Sequence, residues 1–393
     1  MISRAFNPLN YLNKKKSILL LGPRGTGKTA IISELKASNP ARQFIQIDLL
    51  RGGDFQRYLS NSSLLSNELT DLAGKFIEII VSIDEVQKVP ALLDEVHYLI
   101  EEYQGQIVFL LSGSSARKLK RGGANLLAGR AISCQLFPLS QLEIDLSLSR
   151  ALHFGTMPGI YLDQAGLEIP TLESYVSTYL REEIQQESLV RGIDRFAKFL
   201  EFAAQSNGQS INFTKLGRQL NISGKTVADY YSILSDTLIV NELPGWSESI
   251  RRQLLQAPKY YFFDCGVLNA LNGHLRGDLR EGGYLYGNLF ETFIINQLLA
   301  ANHYLSLGLR FFYWRDKEGR EVDLILAKNS FEPVLAIEIK SQTAPQSIDC
   351  SGFQPFGEEY PTVPKICVCN TPRAYVDNEI RFVPWKEMLK ELT

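Results

Sequence analysis

Cysteine and histidine are scarce in this chain, with 5 of the one and 4 of the other in 393 residues. The cysteines, Cys134, Cys265, Cys350, Cys367 and Cys369, are odd in number and contain no C-x-x-C pair, which argues against a zinc site and a disulfide framework. Cys367 and Cys369 flank Val368 in an apolar run and read as core strand residues. The histidines stand singly and read as structural or surface residues. No stretch reaches the roughly 18 uninterrupted apolar residues that a membrane span requires, so no membrane partner is expected. The opening Met1-Ile-Ser-Arg-Ala-Phe-Asn-Pro8 lacks the apolar core of a signal peptide, and a cytoplasmic location is expected. A formal net charge of −2 gives no global pull toward nucleic acid or anionic membrane, so any such partner must be held locally. Internal repeats and low-complexity segments are also lacking.

What is present is a mosaic. The length exceeds one ordinary core and suggests two or three domains. Up to about Leu142 short apolar runs alternate with helical patterns, the signature of βαβ units and a parallel sheet. Strands are predicted at Ser17–Leu21, Gln43–Asp48, Phe76–Ile83, Ile107–Leu111 and Ile132–Phe137. Several are apolar almost throughout, as strands covered on both faces must be. Helices are predicted at Ala30–Lys36, Asp54–Ser60 and Ala91–Tyr103. From Ser140 to about Pro244 helical patterns dominate, and Phe213–Asn221 followed by Ile222–Leu234 reads as helix, tight turn, helix, with a strand at Leu238–Leu243 completing a winged helix. Strands are then predicted at Lys259–Asp264, Phe311–Trp314, Glu321–Ala327, Val334–Ile339, Pro364–Cys369 and Ile380–Pro384, with helices at Leu289–Ala300 and from Lys386. The expected fold class is α/β, in three parts: a parallel sheet with helices on both faces at residues 1–142, a helical and winged-helix region at 143–250, and a second α/β domain at 251–393.

The segment Gly22-Pro23-Arg24-Gly25-Thr26-Gly27-Lys28-Thr29 follows an apolar strand and precedes a helix, the context in which a glycine-rich loop cradles phosphates. Glycines let the backbone curl and aim its N–H groups inward, and the helix start adds positive partial charge. Lys28 reaches the β and γ phosphates, and the Thr29 hydroxyl ligates Mg²⁺. ATP and Mg²⁺ are therefore the expected ligands.

Ile79-Ile-Val-Ser-Ile-Asp84-Glu85 is a buried strand that delivers two carboxylates at its end. Ligands bind outside the carboxyl ends of such strands. Asp84 is expected to hold the Mg²⁺ and Glu85 to polarise the water that attacks the γ-phosphate. The next buried strand ends in Leu111-Ser-Gly-Ser-Ser115, where Ser112 or Ser114 either senses the γ-phosphate or caps the succeeding helical segment. Arg130, just before the Ile132 strand, reads either as a finger reaching the nucleotide of an adjacent subunit in a homo-oligomer or as a plain surface arginine.

These segments resemble the AAA-type ATPases, and more specifically a prokaryotic group in which the AAA module is fused to a C-terminal nuclease-like domain of unknown function. Further carriers are Asp84-Glu85-Val-Gln-Lys-Val-Pro90, Gly129-Arg130, Phe137-Pro-Leu-Ser140, Gly155-Thr-Met-Pro158-Gly-Ile-Tyr161, Tyr175-Val-Ser-Thr-Tyr-Leu-Arg181 and Tyr261-Phe-Phe-Asp264-Cys-Gly266. The resemblance covers nearly the whole chain.

Near the C-terminal end, Glu321-Val-Asp323 starts one strand and Glu338-Ile-Lys340 ends the next. Residues i and i+2 share a strand face, so Glu338 and Lys340 project together and a neighbouring strand can set Asp323 beside them. Glu291 lies on a helix that could complete the cluster. The arrangement looks like the PD-(D/E)XK nucleases, although Val322 stands where their motif has proline. That resemblance implies Asp323 and Glu338, with Glu291, as Mg²⁺ ligands and Lys340 as the residue that positions water. The alternative is a salt-bridged strand pair in a domain that kept the fold and lost the reaction.

The second helix of the helix-turn-helix carries Ser223, Lys225 and Thr226 near its start, where nucleic-acid contacts would fall, but also Asp229 and Asp236, which favours a lid or connector. The run Arg117-Lys118-Leu-Lys120-Arg121 either tracks phosphates or solvates a helix face. The expectation from all of this is an ATPase whose nucleotide state controls a domain that cuts or binds nucleic acid. The rival is a nucleotide-dependent scaffold, with a protein partner and an inert docking domain.

Overall fold

The computed structural model describes residues 2–115, 127–180, 193–249, 253 and 256–392. The basic run Arg117–Arg121 lies outside the described residues. By its own contacts the chain forms two compact units: Met1–Pro138 with Asp236–Ile239, and Leu139–Ser235 with Val240–Thr393. Among the described residues no helix is long and apolar enough to cross a membrane.

The first unit is built on five parallel strands: β1 (Ser17–Leu21), β2 (Gln43–Asp48), β3 (Ile79–Asp84), β4 (Ile107–Gly113) and β5 (Ala131–Gln135). Their order is β2-β3-β4-β1-β5, so β4 is inserted between β1 and β3. Every residue of β3 and β4 is buried, which is why both are apolar almost throughout. Helix α1 (Lys28–Ser38) starts in the glycine-rich loop after β1. Helices α2 (Gly52–Ser60) and α3 (Leu64–Ala73) follow β2, and α4 (Leu92–Tyr103) follows β3. Leu92, Leu93, Val96 and Leu99 of α4, at helical spacing, enter a core with Val81, Ile83, Phe109 and Leu111 of the sheet. This is the P-loop fold of AAA-type proteins, a parallel sheet with flanking helices.

In the second unit, helices α5 (Leu148–Phe154), α6 (Ile193–Gln205), α7 (Phe213–Leu220) and α8 (Gly224–Asp236) precede a two-stranded antiparallel sheet of β6 (Val240–Leu243) and β7 (Lys259–Phe262). The turn between α7 and α8 is tight. A Cβ on Gly217 would lie 2.7 Å from Ile222 O, so this crossing requires glycine. Helix α9 (Cys265–Leu271) and the long α10 (Tyr284–Tyr304) lead into a six-stranded mixed sheet, β8 (Arg310–Arg315), β9 (Glu321–Ala327), β10 (Pro333–Lys340), β11 (Lys365–Cys369), β12 (Tyr375–Asp377) and β13 (Ile380–Pro384). Its order is β12-β13-β11-β10-β9-β8, antiparallel at β8, β9 and β10 and parallel from β10 through β11 to β13. Helix α11 (Phe353–Glu359) contributes Phe353 and Phe356 to a core with Ile325, Ala336, Cys367 and Phe382. Cys367 and Cys369 are fully buried strand residues there.

Some predicted boundaries change. The strand predicted from Phe76 begins at Ile79, because Lys75 to Glu78 are exposed. The strand predicted to Phe137 ends at Gln135. The last segment, Trp385–Leu392, forms tight three-residue turns instead of an α-helix.

Candidate functional site

In the first unit, β1 ends against the glycine-rich loop. Gly25 (φ 85°) and Gly27 (φ 97°) adopt the left-handed backbone that glycine alone takes without strain, and Gly27 forms the N-terminal boundary of α1. Lys28 is buried, and its Nζ donates to Gly22 O at 2.7 Å and Pro23 O at 3.1 Å, so the loop is closed over its own ammonium. Thr26 Oγ1 donates to Pro23 O at 2.8 Å, while Arg24 is exposed. A Cβ on Gly22 would sit 2.5 Å from Leu136 O, which explains the glycine that opens the motif. Arg4 reaches in from before β1, donating to Thr26 O at 2.6 Å and to Phe137 O at 2.8 Å.

The tips of β3 and β4 meet this loop. Thr29 Oγ1 donates to Asp84 Oδ2 at 2.7 Å, and the Ser112 hydroxyl donates to Asp84 Oδ1. The Glu85 N–H donates to Ser112 Oγ at 3.2 Å. Glu85 stands at φ 58°, an uncommon conformation for a residue with a side chain. Its Oε2 accepts from Gln87 Nε2 and, at 3.3 Å, from Ser114 Oγ. Lys28, Thr29, Asp84, Glu85, Ser112 and Ser114 are thus gathered at one end of the sheet. Arg130 is engaged elsewhere in the same unit: its Nε donates to Glu101 Oε1 at 2.5 Å in a partly exposed ion pair.

The second unit holds a separate charged cluster. Register pairs Ile337 with Leu324, so β9 and β10 diverge just beyond, at Asp323 and Glu338. There the Ile339 N–H donates to Asp323 Oδ2 at 2.8 Å. Lys340 Nζ lies 2.6 Å from Glu338 Oε2 and 3.7 Å from Asp323 Oδ2. Glu338 is 2% exposed, and burial followed by the Asp323 charge pushes its carboxyl well above the ordinary range. Burial works to lower the Lys340 ammonium, but Asp323 and Glu338 outweigh it and hold the proton more tightly than usual. Glu291, on α10, accepts from Tyr261 Oη at 2.6 Å. Burial and Asp323 raise its carboxyl against the opposing charge of Lys259. Among the described residues, no group of three or more His, Cys, Asp and Glu side chains is gathered so as to hold a metal ion.

At the start of α8, Ser223 Oγ caps the helix by accepting from the Thr226 N–H at 3.0 Å, and it pairs with the Thr226 hydroxyl at 2.8 Å.

Two structural roles are invisible in local pattern. Asp264 caps α9, accepting from the Gly266 and Val267 N–H groups at 2.9 and 3.1 Å, and it also accepts from the Thr156 N–H at 2.7 Å. Burial pushes its carboxyl up to about 6, against the pull of the Thr156, Val267 and Gly266 donors. Gly155 (φ 76°) lies under it, where a Cβ would be 1.9 Å from Asp264 Oδ1, and a Cβ on Gly266 would be 2.1 Å from Phe154 O. The sequence motifs around Gly155 and Asp264 are therefore two halves of one clasp.

Residues 14–145 match the family described as AAA domain, residues 145–276 a domain of unknown function (DUF8612), and residues 286–388 another (DUF4143). The chain is similar to an uncharacterized protein of Mycobacterium tuberculosis, 26% identical over 315 residues, covering 80% of this chain and 68% of that one. It is also similar to an uncharacterized protein of Haemophilus influenzae, 22% identical over 293 residues, covering 70% and 67%. Among solved structures, the RuvB Holliday junction branch migration motor of Thermotoga maritima aligns at TM-score 0.27 with 14% identity, covering 67% of this chain and 88% of that one. Residues 14–145 are thus similar to an AAA domain, and they carry the gathered loop and strand-tip residues described above.

Proposed function

We propose that the first unit binds and hydrolyses MgATP, and that its nucleotide state controls a second unit that acts on or binds nucleic acid. The observation that carries the first half is the hydrogen bond from Thr29 to Asp84, two oxygen donors of the kind Mg²⁺ takes, beside an ammonium held by backbone carbonyls. Bound Mg²⁺ would neutralise charge on the phosphates. Lys28 would exchange its hold on Gly22 O and Pro23 O for phosphate oxygens, since an ammonium donates more strongly to an anionic oxygen than to a neutral carbonyl. Gly25 and Gly27 would turn backbone N–H groups inward. Glu85 would orient and deprotonate water, and Ser112 and Ser114 would tie Asp84 and Glu85 to the β4 tip. The Arg130 pair with Glu101 is partly exposed and worth at most about 1 kcal/mol, so Arg130 can leave it to reach a neighbouring subunit.

For the second unit, the PD-(D/E)XK resemblance is supported by Asp323, Glu338 and Lys340 lying together on adjacent strands. Their oxygens suit Mg²⁺, with Glu291 one helix away. The helix-turn-helix with its β6–β7 pair supports a winged helix beside that domain, with boundaries near residues 142 and 250. A second reading has its own support. Lys340 neutralises Glu338, and the Ile339 N–H occupies Asp323, an arrangement stable without metal, as an inert docking domain would have.

One experiment separates the two. Single-stranded DNA, duplex DNA and RNA are incubated with the protein and Mg²⁺, with and without ATP. Cleavage by wild type that Asp323→Asn abolishes supports the nuclease. Intact substrates throughout, or equal cutting by Asp323→Asn, leave the docking reading.

A further inference from the structure

We propose that Gln87 is the positioning residue of the first unit's chemistry, fixing one carboxylate oxygen of Glu85 so that the other is left to the reacting water. The inference rests on the reading of Glu85 as the group that activates water. Glu85, Gln87 and Ser114 close a triangle. Gln87 Nε2 donates to Glu85 Oε2 and to Ser114 Oγ at 3.1 Å, and Ser114 Oγ donates to the same Glu85 oxygen at 3.3 Å. Both donors therefore act on Oε2 and restrict rotation of the carboxylate.

Stability alone does not account for this placement. Gln87 is 6% exposed, and its Oε1 is buried with no hydrogen-bond partner among the described residues. A buried acceptor left unpaired costs about 1–3 kcal/mol. Flipping the amide would not relieve it, because the oxygen would then face a carboxylate. Glu85 adds the strain of its left-handed backbone, of order 1 kcal/mol, and the short helical turn Val86–Lys88 after it brings Gln87 back beneath it. The β4 tip is cut back to admit the amide: a Cβ on Gly113 would lie 2.7 Å from Gln87 Oε1. Unsatisfied polar groups and strained backbone in one small region mark a place held for chemistry.

The test is a double-mutant cycle on the full chain, with ATP turnover, nucleotide binding and thermal unfolding measured on each protein. Gln87→Ala is expected to lower kcat about 10-fold or more with unchanged ATP affinity, while Glu85→Ala/Gln87→Ala is no slower than Glu85→Ala alone. Ser114→Ala, which removes the second donor, is expected to lower kcat in the same direction by less, and it serves if Gln87→Ala fails to fold. A wild-type kcat in both single variants overturns the proposal. So does an equal fall from Gln87→Ala in the Glu85→Ala background, which would place its effect elsewhere. Wild-type protein that turns over no ATP, or Glu85→Ala that turns over as fast as wild type, overturns the underlying reading itself, and the role of Gln87 with it.

Discussion

The Thr29 hydroxyl donates to Asp84 Oδ2 across 2.7 Å, joining residues 55 apart in sequence at the junction of α1 and β3. Two oxygens already in contact need little rearrangement to share a divalent cation. Thr29→Ala is expected to weaken nucleotide binding about 10- to 100-fold in Mg²⁺, or roughly 1.4–2.7 kcal/mol, and to leave binding in EDTA unchanged. Thr29→Ser should retain most of the Mg²⁺-dependent affinity. Calorimetry with and without the metal measures both, and an equal loss in EDTA would mean that Thr29 does not act through a cation.

Arg130 and Glu101 form a partly exposed surface pair. Arg130→Ala is expected to change the unfolding midpoint little, with less than about 1 kcal/mol at stake. Mixing Lys28→Ala protein with Arg130→Ala protein is expected to restore ATP turnover, because each supplies what its neighbour lacks. Steady-state turnover of the mixture against each variant alone is the measurement, and no gain would remove Arg130 from the chemistry of an adjacent site.

Much of this first unit was legible. Strand β1 lies where its apolar run was read, since a strand covered on both faces has little choice of composition. The loop residues were legible because phosphate binding demands glycine, lysine and a hydroxyl at fixed spacing. Helix α3 was not, because its Ser66, Asn67 and Thr70 dilute the pattern of Leu65 and Leu69 that it buries. Gln87 was not, because its role depends on Ser114 and Gly113, brought beside it by the insertion of β4 between β1 and β3. In the second unit, the shared face of Glu338 and Lys340 is read from strand periodicity, with Asp323 set beside them by the neighbouring strand. The Tyr261 bond that holds Glu291, and the clasp at Asp264, join elements no local pattern connects.

That clasp makes a prediction about stability. Asp264→Ala strands three backbone donors in a buried place, and a loss of about 2–4 kcal/mol is expected. Gly155→Ala should be at least as damaging, since its Cβ would overlap the carboxylate and its backbone is left-handed. Urea unfolding reports both.

The same carboxyl sets a pH dependence. Its folded value, about 6, lies above the ordinary value of 3.8, so the folded chain holds this proton more tightly than the unfolded chain. Its contribution is present in full below the ordinary value and is lost as pH rises through about 6, a span of roughly 3 kcal/mol at most. Asp264→Asn cannot titrate. The stability of wild type relative to Asp264→Asn is therefore expected to fall between pH 4.5 and pH 7.5, and urea midpoints at the two pH values, showing no such fall, would refute it.

Lys340 neutralises a carboxylate that is 2% exposed. Lys340→Ala leaves that charge unpaired and is expected to lower stability by about 3–5 kcal/mol, whereas Lys340→Met with Glu338→Leu should cost far less. Thermal unfolding of the single and double variants decides it, and a harmless Lys340→Ala would show that Glu338 is protonated or hydrated in the fold.

Arg4 holds Thr26 and Phe137 with its two guanidinium arms, yet the AAA match begins only at residue 14. A shortened version begun at that family boundary would keep every motif residue and forfeit the hand that steadies the phosphate loop from outside. Limits drawn by resemblance and limits drawn by mechanics part company here, and the residues ahead of the first strand belong with the machinery they brace.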